Sequence, residues 1–278
     1  MKRISYQSII VLLLLSVVSS SCTERIELDL ANDEPRLVVE CMLVNRSEPI
    51  RVRLTWTRRF FDNNPPPAVQ GATVTVSDGT TIWTLTDTDG DSYYTTPGPV
   101  LLENERPYFL TVEVNGQRYE AESYMNSVPE LEALTARFIE EGDVPTIDDP
   151  GYLVTIFTQE PVGPGDYYYW RGYLDDSLLN SIDDIAVVED ELVDGNKIEL
   201  ELDLYFSRKG RVRIEQLGIT RHMFEYFTGL SQLVDQNGNP FSPQPANPVT
   251  NVRNVTSPDN YAFGYFSAAS ISSQEIDL

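Results

Sequence analysis

The sequence is poor in the residues on which many catalytic and metal sites depend. Its 278 residues include one histidine, His222, and two cysteines, Cys22 and Cys41. A single histidine excludes metal sites made of several histidines, and a serine–histidine–aspartate mechanism would have to use His222. The chain also lacks the GxSxG, P-loop, Rossmann and CxxC motifs. We therefore expect no enzymatic activity and no cofactor, with a hydrolase that uses acidic residues as the enzymatic alternative.

Basic residues are scarce relative to acidic ones. The sequence holds 20 lysines and arginines against 43 aspartates and glutamates, which gives a formal net charge of −23. Such a surface repels polyanions, and this argues against binding to nucleic acid or to an anionic membrane surface. The excess of carboxylates favours solubility and is also compatible with cationic ligands or divalent ions.

The only long apolar run lies at the N-terminus, over Ile9–Val18, after the basic residues Lys2 and Arg3. A run of about ten residues is too short to span a bilayer as a helix. A basic head, an apolar run and then small residues form a secretory signal pattern. Cys22 ends the motif SSSC, which resembles the lipobox of bacterial lipoproteins, in which the chain is cut before a diacylated cysteine.

The N-terminal pattern predicts how the chain begins in its mature form. We predict a lipoprotein signal peptide over residues 1–21 and a lipid anchor and tether over residues 22–35. The acylated Cys22 would attach the protein to a lipid bilayer. The alternative is an ordinary signal peptide followed by a cysteine without this role. If Cys22 is acylated, Cys41 has no disulfide partner, and within LVVECMLV it is predicted to be a buried strand residue.

Residues 36–126 alternate polar and apolar side chains as strands do. In IRVRLTWT, for example, Val52, Leu54 and Trp56 share one face. About seven such runs are separated by turns, and Asn115–Gly116 between two of them predicts a hairpin. This spacing predicts an N-terminal β-sandwich of the immunoglobulin-like type.

Residues 127–278 are predicted to form a second β-rich domain that contains one amphipathic helix. Strand-like runs recur in YLVTIFTQ, DYYYWRGYL, IELELDLYF and RVRIEQLG. The segment 219–234 breaks this pattern, because it has a potential N-cap at Thr220 and apolar residues at helical spacing. Those residues are Met223, Phe224, Phe227, Leu230 and Leu233 or Val234. The predicted fold class is therefore mainly β, a sandwich followed by a β-rich domain with one helix.

An aromatic strand is the first candidate contact surface. One face of DYYYWR carries Tyr167, Tyr169 and Arg171, and the other face carries Tyr168 and Trp170. We expect one set in the core, and the other can form a stacking platform for a sugar, a peptide or a protein. The alternative is that both sets are packed. Tyr167, Tyr169 and Trp170 are accordingly candidate contact residues.

Two loops provide the remaining candidate residues. FDNNPPPAVQG begins at Phe61, and its three consecutive prolines exclude it from a strand ladder. Phe61 is a candidate contact residue because loops concentrate binding residues. DTDGDSY places Asp87, Asp89 and Asp91 at alternate positions, as a weak candidate for calcium. The glutamate that completes a calcium loop is missing, and we favour a β-turn with Gly90 at positive φ.

Several motifs together resemble one family of Bacteroidota lipoproteins, called domain of unknown function 4249. The matching motifs are SSSC, ELDLANDEPRLVVE, FDNNPPPAVQGATVTVSDG and NYAFGYFSAAS. ATVTVSDG with TDTDGDSY is also similar to the transthyretin-like or carboxypeptidase-regulatory-like sandwich. The family resemblance implies an outer-membrane lipoprotein whose gene often lies beside that of a TonB-dependent transporter. It implies no catalytic residues.

Together with this resemblance, the sequence observations predict a non-enzymatic lipoprotein of the outer membrane, facing the cell surface rather than the periplasm. We expect it to act as an accessory or ligand-capture partner of a TonB-dependent transporter in nutrient uptake. The alternative function is a structural or adhesive cell-surface module with no transport role.

Overall fold

Sixteen strands and one helix make up the regular structure of the described residues. The computed structural model describes residues 34–58, 62–145, 147, 149–181, 184–190, 195–235 and 247–278. The strands are β1 (Leu37–Val44), β2 (Arg51–Trp56), β3 (Thr73–Ser77), β4 (Ile82–Leu85), β5 (Tyr93–Thr95), β6 (Arg106–Val114), β7 (Gln117–Met125), β8 (Leu131–Ile139), β9 (Gly151–Gln159), β10 (Tyr167–Leu174), β11 (Ser177–Leu178), β12 (Ala186–Glu189), β13 (Lys197–Phe206), β14 (Arg211–Ile219), β15 (Arg253–Asn254) and β16 (Phe263–Asp277). The helix is α1 (Arg221–Asp235). The prediction of a mainly β chain with one helix is confirmed.

The strands form three sheets. The largest has eight strands in the order β11–β10–β14–β16–β1–β2–β5, and β12 also pairs with β10. A five-stranded sheet has the order β15–β7–β6–β3–β4, and a three-stranded sheet has the order β13–β9–β8. Among these described strands, β1 and β16 form the parallel pair. That pair brings the start and the end of the described chain together in the largest sheet.

Strand β16 joins two parts of the eight-stranded sheet. Its first half, 263–269, pairs in parallel with β1, and its second half, 270–277, pairs antiparallel with β14. The change of partner falls within Ser267–Ser270, whose small side chains are all buried. Small residues suit this position because other layers pack closely against both faces of the sheet.

Two hydrophobic clusters lie between the eight-stranded sheet and the smaller sheets. The first combines residues of β1, β2 and β16 with residues of the five-stranded sheet, among them Val39, Leu54 and Tyr108. The second combines residues of β10 and β14 with residues of the three-stranded sheet, among them Trp170 and Phe206. Each smaller sheet therefore covers its own part of the large one.

The segments on the two sides of residue 126 share one sheet. Residues 35–278 form one compact unit, and β1 and β2 continue through β16 to β14 and β10. The first cluster is formed mainly by residues 36–126, but Val252 and Phe266 complete it from the C-terminal part of the chain. Residue 126 therefore separates the part of the chain that forms most of the first cluster from the part that forms the second, while the eight-stranded sheet continues through both.

Helix α1 covers part of the opposite face of the eight-stranded sheet. Its residues Met223, Tyr226 and Phe227 form a third cluster with Leu217 and other sheet residues. The Thr220 hydroxyl accepts a hydrogen bond from the Met223 backbone N–H at 3.3 Å, which is the geometry of an N-cap. The predicted helix and its cap are confirmed, with the helix over Arg221–Asp235.

Local predictions at single turns and strands also agree with the structure. Asn115 and Gly116 both have positive φ, at 51° and 73°, and they connect β6 to β7 as a tight hairpin. Cys41 is buried in β1 at 2 % exposure, and burial raises the pKa of its thiol. An inert, buried Cys41 is what the strand pattern predicts.

The predicted signal peptide and Cys22 lie outside the described residues, as does most of the 22–35 tether. Within the described part of the chain, the one helix is neither long nor apolar enough to cross a membrane.

Candidate functional site

The aromatic strand β10 alternates as predicted, and both of its faces are covered. Tyr167 and Tyr169 lie under helix α1, where their rings contact Phe224 and Phe227 at centroid distances of 5.3 Å and 4.6 Å. Burial raises the pKa of Tyr169. Tyr167 and Tyr169 therefore anchor the helix in this structure. This agrees with the alternative that the aromatic side chains on both faces of the strand are packed.

Trp170 lies in the core on the other face of β10. Its side chain is 1 % exposed, and its indole N–H donates to the Gln216 side-chain oxygen at 3.0 Å. The Gln216 amide in turn donates to the Pro129 carbonyl at 3.0 Å. Buried polar groups need such partners, so Trp170 is a structural residue in this arrangement.

The proline loop remains at the surface. Phe61 lies outside the described residues, but residues 63–67 are all exposed. The base of the loop is held to β2, because the Trp56 N–H donates to the Pro67 carbonyl at 2.9 Å and the Val69 N–H donates to the Leu54 carbonyl at 3.1 Å. The loop thus combines an exposed tip with a fixed base.

Asp87, Asp89 and Asp91 form a turn between β4 and β5. The Asp87 carboxylate accepts hydrogen bonds from the N–H groups of Asp89 and Gly90, at 3.2 Å and 2.7 Å. Gly90 has φ of 71°, and Asp91 accepts from the Tyr93 N–H at 2.9 Å. The Asp87 and Asp91 carboxylates thus accept from backbone N–H groups, and Asp89 accepts from the Thr88 hydroxyl at 3.1 Å, as the turn interpretation predicts.

A buried carboxylate surrounded by arginines is the most concentrated charge cluster of the described residues. Glu215 of β14 is 0 % exposed. Its Oε1 contacts Arg46 Nη1 at 2.8 Å and also Arg213 Nη1. Its Oε2 contacts Arg171 Nη2 at 2.7 Å and accepts from the Tyr173 hydroxyl at 3.0 Å. We call Glu215, Arg46, Arg171, Arg213 and Tyr173 the arginine cluster.

Sheet register explains how the cluster assembles. Arg171 of β10 pairs with Glu215 of β14, and Tyr173 pairs with Arg213. Side chains of directly opposite residues lie on the same face. Arg46 reaches the same carboxylate from the end of β1, so residues distant in sequence converge on one point. The alternation in RVRIEQ placed Arg213 and Glu215 on one face, but no local signal indicated that Glu215 is buried.

The arginines keep Glu215 ionised. Burial by itself would raise the pKa of its carboxyl group, but the charges of Arg171, Arg46 and Arg213 outweigh burial, and the pKa is lowered. The Arg213 guanidinium also stacks on the Tyr173 ring, with Cζ 3.8 Å from the ring centroid. The cluster therefore holds a buried anion beneath three cations.

Three carboxylates form a second polar group, which the sequence reasoning missed. Oxygens of Glu160, Asp166 and Asp190 all lie within 4.8 Å of one another. Glu160 accepts from the Tyr168 hydroxyl at 2.8 Å, and the Gly165 N–H donates to Asp190. Carboxylate oxygens are ligands for Ca²⁺ or Mg²⁺, and either ion would need further oxygens to complete its shell. Glu160 and Asp166 lie at the two ends of the loop between β9 and β10, Asp190 directly follows β12, and no spacing motif marks the three residues.

His222 lies on the first turn of α1. Its Nε2 atom is buried with no hydrogen-bond partner among the described residues. Burial lowers the pKa of the imidazole, which favours the neutral form.

Comparison with known proteins assigns the chain to a family. A search of the curated proteins finds no match. A family model described as domain of unknown function, DUF4249, matches residues 23–275. That range includes helix α1, strands β1 to β15, and all but the last two residues of β16. The chain belongs to the DUF4249 family.

Proposed function

We propose that this protein is a lipid-anchored protein of the outer membrane that assists a TonB-dependent transporter without catalysing a reaction. The anchor is Cys22, acylated after cleavage of the signal peptide, and the β-rich unit over 35–278 faces the cell surface. The support for the anchor is the N-terminal sequence, in which a basic head, an apolar run and SSSC follow one another.

The observation that carries the partnership is the exposed tip of the proline loop, which follows directly on a fixed base. Its tip, residues 63–67, is exposed, while Val69 at its base is fully buried. The Tyr94 hydroxyl donates to the Val69 carbonyl at 3.0 Å and fixes the base further. A loop whose base is held in place loses less conformational entropy on binding than a free one. Prolines restrict the backbone in the unbound state as well, so the tip suits recognition by a protein surface.

Purification of the native lipidated protein from detergent-solubilised outer membranes tests the proposal. Mass spectrometry of the co-eluting proteins is expected to identify a TonB-dependent transporter at near-stoichiometric yield. The double substitution Pro65→Gly and Pro66→Gly is expected to reduce that yield, because it loosens the tip without removing the backbone hydrogen bonds at its base.

The matched control is Pro97→Gly, which changes an exposed proline in the turn after β5. This variant is expected to recover the transporter as the wild type does. A monomer that elutes without partners under gentle extraction would contradict the proposal. Equal loss of the transporter in the loop variant and in the control would contradict the role of the loop.

One observation favours the second candidate function, an adhesive surface module. The outer face of the five-stranded sheet exposes Ile82, Phe109 and Tyr124. Ile82 and Phe109 both pair with Ser77, so they lie in one row across the sheet. Exposed apolar side chains on one face of a sheet suit contact with a polymer. Binding to host or matrix polymers, with no transporter recovered, would favour this function.

A further inference from the structure

The arginine cluster contains more positive than negative charge at short range. Three guanidiniums face the single buried carboxylate of Glu215, and Glu48 is the other close acid, 2.8 Å from Arg46 Nε. The other acids near the cluster lie at the limit of an ion pair. Asp176 is 3.9 Å and Glu275 is 4.0 Å from Arg213, and both side chains are at least half exposed. At hydrogen-bond distance, three guanidiniums therefore face the two carboxylates of Glu215 and Glu48.

Arg171 has a donor that the described residues do not satisfy. Its Nη2 binds Glu215, but its Nε is buried and has no hydrogen-bond partner among the described residues. The Arg171 side chain is only 16 % exposed. A buried N–H of a charged group costs free energy when it lacks an acceptor. The structure thus lacks an acceptor at Arg171 Nε.

The cluster is accessible from one side. The Arg46 side chain is 43 % exposed and the Arg213 side chain is 20 % exposed, whereas Glu215 beneath them is fully buried. Tyr173 is half-buried and lies on β10 beside Arg171. An anion that approaches from solvent therefore meets the guanidiniums before it meets the carboxylate.

We propose that Arg46, Arg171 and Arg213 bind the oxyanion group of a small ligand, a carboxylate or a phosphate. Guanidinium groups hold such oxyanions through paired, charge-assisted hydrogen bonds. Glu215 positions the three guanidiniums and prevents their mutual repulsion from separating them. The negative charge of the chain opposes the approach of anions, so binding depends on direct contacts with the three guanidiniums.

This inference goes beyond the proposed partnership. The binding site lies on the face of the eight-stranded sheet that also carries α1, and it does not use the proline loop. Its test uses the purified chain alone, so a failure to recover a transporter and a failure to bind an anion are separate results.

Isothermal titration calorimetry on the full-length chain in non-ionic detergent tests the site. Succinate and inorganic phosphate are the probes, each titrated at constant ionic strength with chloride as the reference. Saturable binding of at least one probe is expected, and the stronger probe identifies the oxyanion class. Arg171→Lys keeps the charge but removes Nε and the planar fork, and it is expected to weaken binding about tenfold or more.

The matched control is Arg137→Lys on the three-stranded sheet. Arg137 makes a two-point ion pair with the single carboxylate of Glu201, at 2.8 Å and 3.0 Å, and both side chains are exposed. This variant is expected to bind the probe as the wild type does. If Arg171→Lys does not fold, Arg46→Gln removes an outer cation and is expected to weaken binding in the same direction.

Two results would overturn the proposal. The first is the absence of saturable heat with both probes, which would mean that only water satisfies Arg171 Nε. The second is equal affinity of the wild type and of the folded Arg171 or Arg46 variant, which would place any bound anion elsewhere.

Discussion

The Arg171 guanidinium lies 2.7 Å from the Glu215 carboxylate, across the neighbouring strands β10 and β14. The opposite faces of the same strands carry Trp170 and Ile214 in a hydrophobic core. Charge on one face and apolar packing on the other specify the same register, because a shift of one residue would exchange the faces. A buried ion pair adds little net stability compared with apolar packing, but removal of one partner leaves the other charge buried and unbalanced.

Glu215→Gln is expected to destabilise the protein, because it removes the only anion that contacts all three arginines. We expect the free energy of unfolding to fall by about 3 kcal/mol at neutral pH, since removal of one partner of a buried pair costs about 3–5 kcal/mol and Arg46 can still reach solvent. The pKa of Glu215 is lowered in the fold. The stability that the ionised Glu215 contributes is therefore complete at pH values above the ordinary pKa of glutamate. It is lost as the pH falls through the lowered pKa.

Urea denaturation at a series of pH values measures this effect. The difference between the wild type and Glu215→Gln is expected to narrow as the pH falls. Glu201→Gln, which removes the exposed partner of Arg137, is the control and is expected to cost no more than about 1 kcal/mol. Equal costs for the two variants would show that Glu215 is not buried as described.

Phe227→Ala tests whether helix α1 covers the aromatic strand. Phe227 is 6 % exposed, and its ring lies 4.6 Å from that of Tyr169 and 5.7 Å from that of Tyr265. We expect a loss of about 3–5 kcal/mol in chemical denaturation, as for other buried phenylalanines. Phe138→Ala removes a phenylalanine that is 53 % exposed, and it is expected to cost no more than about 1.5 kcal/mol. A small effect at Phe227 would mean that Tyr169 is available as an open platform.

Gly264→Ala tests the parallel pairing of β1 with β16. Gly264 pairs with Val39 and has φ of 88°, and a Cβ atom there would lie 1.9 Å from the Val39 carbonyl oxygen. Gly116→Ala is the control, because Gly116 has φ of 73° but nothing within 4 Å of the added Cβ. The control is expected to lose about 1–2 kcal/mol from backbone strain alone. Gly264→Ala is expected to lose about 4 kcal/mol or more in thermal unfolding, and equal losses would contradict the described register.

Asp78→Asn tests the acid dependence of the turn after β3. The Asp78 carboxylate accepts hydrogen bonds from the Thr81 and Thr80 N–H groups and lies 3.3 Å from Arg106. The Thr81 hydrogen bond is the largest of the causes that lower the pKa of Asp78 from 3.8 to about 2. The stability that the ionised Asp78 carboxylate contributes is complete at pH values above its ordinary pKa of 3.8, and it is lost as the pH falls towards about 2.

Thermal unfolding followed against pH checks the prediction for Asp78. The variant is expected to be less stable than the wild type at neutral pH, and the two curves are expected to converge between pH 3.8 and about 2. Asp259→Asn changes an exposed side chain and is expected to follow the wild type throughout. A constant difference across that range would mean that the ionised Asp78 carboxylate contributes nothing specific.

The sequence predicts those features that depend on a few neighbouring residues. Asn115–Gly116 forms the predicted hairpin because only certain residues adopt positive φ without strain. Thr220 caps the helix because its hydroxyl satisfies a free backbone N–H. For the aromatic strand, the alternation of Tyr169 and Trp170 was predictable, but which face would be exposed was not. Helix α1 decided this by covering Tyr169, and its docking depends on residues from several strands.

The sequence by itself therefore determined the positions of strands, turns and helix, through periodicity and local backbone preferences. Tertiary structure decided that β16 would complete the sheet of β1 and that Arg46 would reach Glu215, 169 residues away. Contacts of this kind have no local sequence pattern, because the strand order is determined by the burial of whole sheet faces. The proposed oxyanion site depends on that strand order, since its three arginines converge only when β10 and β14 lie side by side near the end of β1.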